Sequence, residues 1–307
     1  MNKYLKLLLF ISSLSIAPFQ QLPAPEPTSL PFNKNDFYFG LDTPKQGQVV
    51  VVTNFSPRHY YGAFIVDTLR KDLHIGPGIN FIPIARNDPC GNARIIVYSD
   101  YSVVGVDTSF IIQKYETDTI TIPASKSKHA PLGGLGYQGL FARIDTCKQI
   151  PFMSDSFVSP LKHLYVTDRF GTYRKSQEKF SYHRGIDFRA KVGTKVSAIG
   201  NGVVISVIKE DRLGKTILLN HGNAVFSAYM HLSKMYVEEG DTVKAGEIIA
   251  LSGASGAIRG PHLHLSLFVG KIPIDFMIFK DVVNKLGKPL VYTEGFFYCF
   301  SNATLCQ

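Results

Sequence analysis

Three short stretches of this 307-residue chain carry side chains able to hold a metal ion and move protons. They are His183-Arg184-Gly185-Ile186-Asp187, Tyr229-Met230-His231-Leu232 and Gly260-Pro261-His262-Leu263-His264. Imidazole nitrogen is a favoured zinc ligand, carboxylate oxygen is a common third donor, and a catalytic site keeps one position open for water. Residues i and i+2 of a strand point to the same face, so His262 and His264 should project together while Leu263 and Leu265 turn towards a core. Two imidazoles on one face of an apolar strand are hard to explain by packing. Each pattern alone is weak, and H-x-x-x-D on a helix would be a simple i, i+4 pair. The weight lies in finding both patterns, in this order, with His231 between them. His221 in NHGN reads as a turn residue, and the isolated His59, His74, His129 and His163 read as surface or turn positions.

The flanking sequence is a run of short strands. KVSAIG, NGVVISVIK, KTILLNHG, AVFSAYMHL, EIIALSG and PHLHLSLFVG are apolar or alternating segments separated by glycine turns, with no helix longer than two turns expected among them. They define a β domain over 156–280 that holds most of the histidines and most of the excess positive charge. Upstream, QVVVVTNF, GAFIVDTL, INFIPIA, ARIIVYSD and TITIP, with turn signals GPG and NDPCGN, predict a small β-sandwich over 47–123. Nothing in it gathers acids, histidines or cysteines, so it reads as a spacer or substrate-positioning module. Residues 124–155 are a glycine-dense connector, free to pack across the following domain or to block its groove. The tail, 281–307, carries one short helix candidate (KDVVNKLGK) and CFSNATLC, whose Cys299 and Cys306 could close a local disulfide. Cys90 and Cys147 are then the second candidate pair, although four cysteines allow three connectivities. The absence of C-x-x-C argues against a zinc knuckle or a thioredoxin-type site.

Hydrophobic residues make up 45% and charged residues 19% of the chain, which excludes wholesale disorder. The net charge of +9 suits an anionic environment. That charge is scattered, without a run of five Lys/Arg, and no nucleic-acid partner is expected. Lys3 and Lys6 precede LLLFISSLSIA, a basic start and an apolar stretch of signal-peptide type, too short for a spanning helix of about 20 residues. Residues 1–22 are therefore a signal peptide or an N-terminal membrane anchor, and 23–46 a Pro-rich leader. The expected location is outside the cytoplasm, in the periplasm or cell envelope, either tethered or secreted.

The stretch 157–279 resembles the catalytic domain of the M23 (lysostaphin/LytM-type) zinc metallopeptidases. HRGIDFRAKVGTKVSAIGNGVVISV is similar to the family's H-x-G-I-D segment and the G-T-x-V-x-A-x-x-x-G-x-V that follows it. YMHLSKMYVEEGDTVKAGEIIALSGASG resembles its Y-x-H-L…V-x-x-G-x-x-V-x-x-G-x-x-I…G-x-x-G, and GPHLHLSL resembles G-P-H-L-H-F-E. More weakly, 47–123 is similar to the Ig-like domain often placed before this peptidase domain. The fold class expected is thus all-β, an Ig-like sandwich followed by an antiparallel M23-type domain with an open groove. The resemblance implies that His183, Asp187 and His264 hold one Zn²⁺ per chain, and that His262 and His231 flank the water as non-ligating histidines. Ser266 stands where the family often has Glu, and FGTYR shifts Arg174 relative to the commoner F-G-x-R.

The implied activity is hydrolysis of peptide cross-links in peptidoglycan, with a D-alanyl cross-link favoured over glycine bridges. No H-E-x-x-H is present, so a histidine must act as the base. His262 and His231 can each fill that role, the other assisting the developing oxyanion. Two other classes compete. A degenerate, non-catalytic domain that activates another cell-wall hydrolase would typically lack ligands. A lipoyl- or biotinyl-type carrier, suggested by GDTVKAGEIIALSG, would need a tip lysine motif that is missing here.

Overall fold

The computed structural model describes residues 33–40, 43–100, 103–121, 135–152, 154, 156–176, 179–286, 291–293 and 296–298. The N-terminal apolar segment, most of the Pro-rich leader, residues 122–134, His129, Cys299 and Cys306 lie outside them. The described chain is mostly antiparallel β-structure, as the short-strand pattern requires. Among the described residues no helix is long and apolar enough to cross a membrane.

The first region is built from two sheets. Strands Phe37–Gly40, Val49–Asn54 and Gly78–Pro83 form one, and Leu69–Ile75, Tyr60–Val66, Gly91–Asp100 and Val103–Ile112, in that spatial order, form the other. The VVVVTN strand is buried at every position. Its alternation explains this, because Val49 and Val51 join Phe81 in the core of the following domain while Val50 and Val52 are buried on the opposite face. Phe37–Gly40, placed in the leader on composition, pairs with Val49–Asn54. Thr119–Thr121 leaves the two sheets and pairs in parallel with Tyr173–Ser176, so the first region reaches into the wall beside His183.

The second region is organised by an eight-stranded sheet. Its path runs Thr242–Val243, Gly202–Glu210, Gly214–Gly222, Val225–Leu232, His262–Val269, Ile186–Arg189 and Val166–Asp168, with Ile272–Ile274 pairing to His262–Val269. Along His262–Val269, Leu263, Leu265, Leu267 and Val269 enter the main core. Each fully buried leucine contributes about 1.5–3 kcal/mol. The alternate residues face the other side, where Phe268 joins Phe226, Ala228, Met230 and Leu218. One face of the sheet therefore carries the main core, and the other carries the histidines beside a smaller apolar cluster.

Two helices differ from expectation. Helix α1, Tyr137–Thr146, lies in the glycine-dense connector and buries Leu140 and Ile144 against the Phe268 side of the sheet. Gly133, Gly134 and Gly136 obscure it in the sequence, although Tyr137, Leu140, Phe141 and Ile144 follow helical spacing. Helix α2, Phe276–Leu286, starts four residues before the predicted KDVVNKLGK, because Asp275 caps it by accepting from the Met277 N–H at 2.9 Å. The proposed Cys90–Cys147 pair is also corrected, since both are free thiols. Cys90 is exposed, whereas Cys147 ends α1 and packs beside the Phe268 cluster.

His221 requires a further correction. It lies within the strand Gly214–Gly222, and the turn falls two residues later at Asn223 and Ala224, both with positive φ. Its Nδ1–H donates to the Asn201 carbonyl at 2.7 Å, and Nε2 sits 2.8 Å from Ser227 Oγ. Burial pushes its pKa down to about 4, against the opposing Asn201 bond. The unfolded chain takes up this proton near pH 6.5 while the folded chain refuses it until near pH 4. This contribution to stability is therefore complete above about pH 6.5 and falls by about 3 kcal/mol as the pH drops towards 4. Urea unfolding at pH 7 and pH 5 should show about 2 kcal/mol of that loss, and His221→Gln should give a shallower dependence. Equal pH slopes for the two proteins would contradict it.

Candidate metal centre

Register places the central pair. Asp187, on Ile186–Arg189, lies directly opposite His264, and Met230 lies opposite His264 on the other side. Directly opposed residues have Cβ atoms about 4.5–5.5 Å apart, so Asp187 and His264 must meet. His183 precedes this strand and is clamped by its backbone, donating from N–H to the Thr172 carbonyl at 2.9 Å and accepting from the Gly171 N–H at 2.8 Å. Gly185 makes the close approach possible. A Cβ there would sit 2.4 Å from the Leu265 carbonyl oxygen, 2.6 Å from His264 Nε2 and 2.7 Å from Ser266 Oγ. His231 is the penultimate residue of the strand Val225–Leu232, at φ 62°, a conformation rare for a non-glycine residue, and its N–H donates to the Leu213 carbonyl at 3.1 Å.

Hydrogen bonds determine which ring atoms face inward. A carbonyl can only accept, so His183 Nδ1 carries its proton towards Arg169 O at 2.9 Å and leaves an Nε2 lone pair. That Nε2 lies 3.1 Å from His264 Nδ1 and 3.2 Å from Asp187 Oδ1, and His264 Nδ1 lies 2.7 Å from the same oxygen. Tetrahedral zinc with bonds of about 2.0–2.1 Å needs donors roughly 3.3 Å apart. Two imidazole nitrogens and one carboxylate oxygen at this spacing fit that ion, and His183 and His264 are buried. Burial opposes the charged form of Asp187, but its close contacts with the His183 and His264 rings outweigh it and hold the carboxyl well below the usual range. Burial pushes His264 down as well.

The other two histidines stand beside this trio. His231 donates from Nδ1 to the Ser255 carbonyl at 2.9 Å, and His262 from Nδ1 to the Gly260 carbonyl at 2.8 Å, so both leave Nε2 available. His262 Nε2 is 3.7 Å from Asp187 Oδ1, and the His231 and His262 ring centres are 5.0 Å apart. Burial, followed by the neighbouring His264 and His262, pushes His231 down to about 4, which keeps it neutral near pH 7. All five residues singled out in the sequence are therefore gathered at one place. The remaining described histidines lie elsewhere: His59 stacks on His74 in the first region, His163 is exposed and His221 is in the core.

The surroundings add residues that no motif indicated. Tyr137 of α1 places its hydroxyl 3.0 Å from His264 Nε2 and 3.0 Å from Ser266 Oγ. Burial pushes this phenol up to about 12, so it stays protonated. Arg174 pairs with Asp168 and lies 3.8 Å from Asp187 Oδ2. Tyr137 had no signal beyond the helical spacing of its segment, whereas Arg174 was visible in FGTYR without an assignable contact. A cavity of about 610 Å³ opens over His183, His231 and His264, with Arg174, Arg184 and Arg212 in its wall.

Comparison with known proteins points the same way. The profile of peptidase family M23 matches residues 181–276. Over 95 residues the chain is 40% identical to peptidoglycan DD-endopeptidase ShyA of Vibrio cholerae, covering 31% of this chain and 22% of that protein. Over 120 residues it is 32% identical to DD-carboxypeptidase/endopeptidase Mpg of Neisseria meningitidis, covering 38% and 27%. The chain thus spans about a quarter of the length of these curated relatives. A crystal structure assigned to peptidase M23 from Pseudomonas aeruginosa shares the fold with a TM-score of 0.53 at 20% identity, over 78% of this chain and 95% of that one.

The crowding at Gly185 gives a direct test. Gly185→Ala should destabilise the protein by about 1–3 kcal/mol in urea unfolding, because Leu265 O is backbone and cannot yield. Unfolding unchanged within 0.5 kcal/mol, the ordinary scatter of neutral substitutions, would refute the packing argument.

Proposed function

This chain belongs to peptidase family M23 through residues 181–276, and from that premise we propose that it is an exported zinc-dependent endopeptidase that cuts peptide cross-links of peptidoglycan. The observation that carries the reading is the convergence of His183 Nε2, Asp187 Oδ1 and His264 Nδ1 on one point, flanked by the two further imidazoles. The relatives named as peptidoglycan DD-endopeptidases support the substrate class. The basic cavity wall suits an acidic peptide, and the basic, apolar N-terminus suits export. A D-alanyl cross-link is the favoured bond.

In this reading His183, Asp187 and His264 hold one Zn²⁺. When bound, the metal supplies Lewis acidity towards the scissile carbonyl and lowers the pKa of water towards 7. The protein's own groups handle the proton. His231 and His262 each have Nδ1–H committed to a backbone carbonyl, so each presents an Nε2 lone pair as a proton acceptor. Once protonated, either can donate from Nε2, to the leaving amine or to the oxyanion. The low pKa of His231 keeps it in the accepting form, and the carbonyl bonds hold both rings in one tautomer.

Incubating the purified chain with defined cross-linked muropeptides, with and without a chelator, and identifying products by mass spectrometry tests this directly. Cleavage should stop on chelation and return with zinc. His264→Ala should lose both the metal and turnover. His231→Ala should keep zinc and lose about 10²–10⁴-fold in kcat. Zinc bound stoichiometrically without hydrolysis would instead favour a non-catalytic activator of another hydrolase.

A further inference from the structure

Helix α1 lies outside the segment matched by the family, yet its first residue enters the histidine cluster. We propose that Tyr137 is a positioning residue of the metal centre, whose hydroxyl, together with Ser266, holds the His264 ring so that Nδ1 faces the ion. This rests on the zinc reading above.

An imidazole can present either nitrogen to a metal, and the partner of the other nitrogen decides which. In His183, His231 and His262 a backbone carbonyl takes Nδ1–H and directs Nε2 inward. His264 is reversed. Its Nδ1 meets Asp187 and His183, and its Nε2 meets two hydroxyls, Ser266 Oγ at 2.8 Å and Tyr137 Oη at 3.0 Å. The orientation of this ring is therefore set by side chains rather than by main chain. The two hydroxyl oxygens are themselves 3.0 Å apart, which closes a triangle with Nε2. Ser266 alone is a short rotor, whereas the Tyr137 phenol is fixed on several sides. The Tyr137 ring lies 6.1 Å from Phe141 and 6.1 Å from Phe268, centre to centre, and the Arg184 guanidinium sits 5.1 Å over it. Leu140 and Ile144 anchor the helix in the sheet, and the Gly136 N–H donates to Glu210 Oε2 at 3.1 Å at its start.

Tyr137 approaches His264 from the edge opposite Nδ1, so its hydroxyl steadies the ring without competing for the ion. The connector thereby contributes to metal affinity, and a domain cut at residue 156 would lose this contact. Loss of an outer-sphere partner of this kind typically weakens metal binding about 10–100-fold.

The test uses the full chain, stripped with a chelator and titrated with zinc against a chromophoric competitor, together with ¹⁵N imidazole NMR of the zinc-bound form. The wild type should show His264 metallated at Nδ1, with a slowly exchanging proton on Nε2. Tyr137→Phe keeps the ring packing and removes only the oxygen. It should weaken zinc binding at least tenfold, with near-UV circular dichroism unchanged and faster exchange of the Nε2 proton. Equal zinc affinity and exchange in Tyr137→Phe would overturn the inference. So would a wild-type His264 metallated at Nε2, a readout independent of any variant. A wild type that binds no zinc would instead bring down the metallopeptidase reading itself, so the two failures are distinguishable.

Discussion

The cross-strand pairing of Asp187 with His264 is the constraint on which the site depends. It is a matter of register: Ile186–Arg189 lies antiparallel to His262–Val269, and the ladder puts a carboxylate and an imidazole opposite one another on the same face. A slip of one residue would turn both to the core side and bring Leu263 and Leu265 to the surface. The leucines therefore enforce the chemistry. Burying Leu263, Leu265 and Leu267 on one face compels His262, His264 and Ser266 onto the other.

This arrangement places charge where burial opposes it, and the structure answers with hydrogen bonds. Asp187 is held ionised by imidazoles, and three of the four imidazoles are held by backbone carbonyls whose positions follow from loops and strand ends. His231 tolerates a left-handed backbone to take its place. Strain of this kind costs of order 1 kcal/mol or more and persists only where the surroundings impose it. Here the constraint comes from the bonds to Leu213 and Ser255.

The region before the strand domain is also tied to the site. Thr119–Thr121 pairs beside Tyr173–Ser176, which leads through Arg174 to Asp168 and Asp187. Tyr115 donates to the buried Asp275 carboxylate at 2.5 Å, and that residue caps α2. Val49, Val51 and Phe81 share the core of the second region. The first sheets therefore brace the wall that carries Arg174.

What the sequence determined by itself was the set of chemical groups and their local facing. Strict alternation in HLHLSLFV places two histidines on one side of a strand, because the strand period is two, and the short apolar runs with glycine turns specify a β fold. Helix α1 was hidden among glycines, and the start of α2 was hidden because FMIF suits a strand as well as a buried helical turn. His221 was misread because strand ends follow pairing rather than local residue type. Only the tertiary structure decided that His183, Asp187, His231, His262 and His264 meet, which nitrogen of each ring turns inward, and that Tyr137 stands behind His264. These are long-range facts: the contacting residues are separated by up to 127 positions. No local pattern encodes a hydrogen-bond partner that is brought up only when the sheet closes and the helix packs upon it.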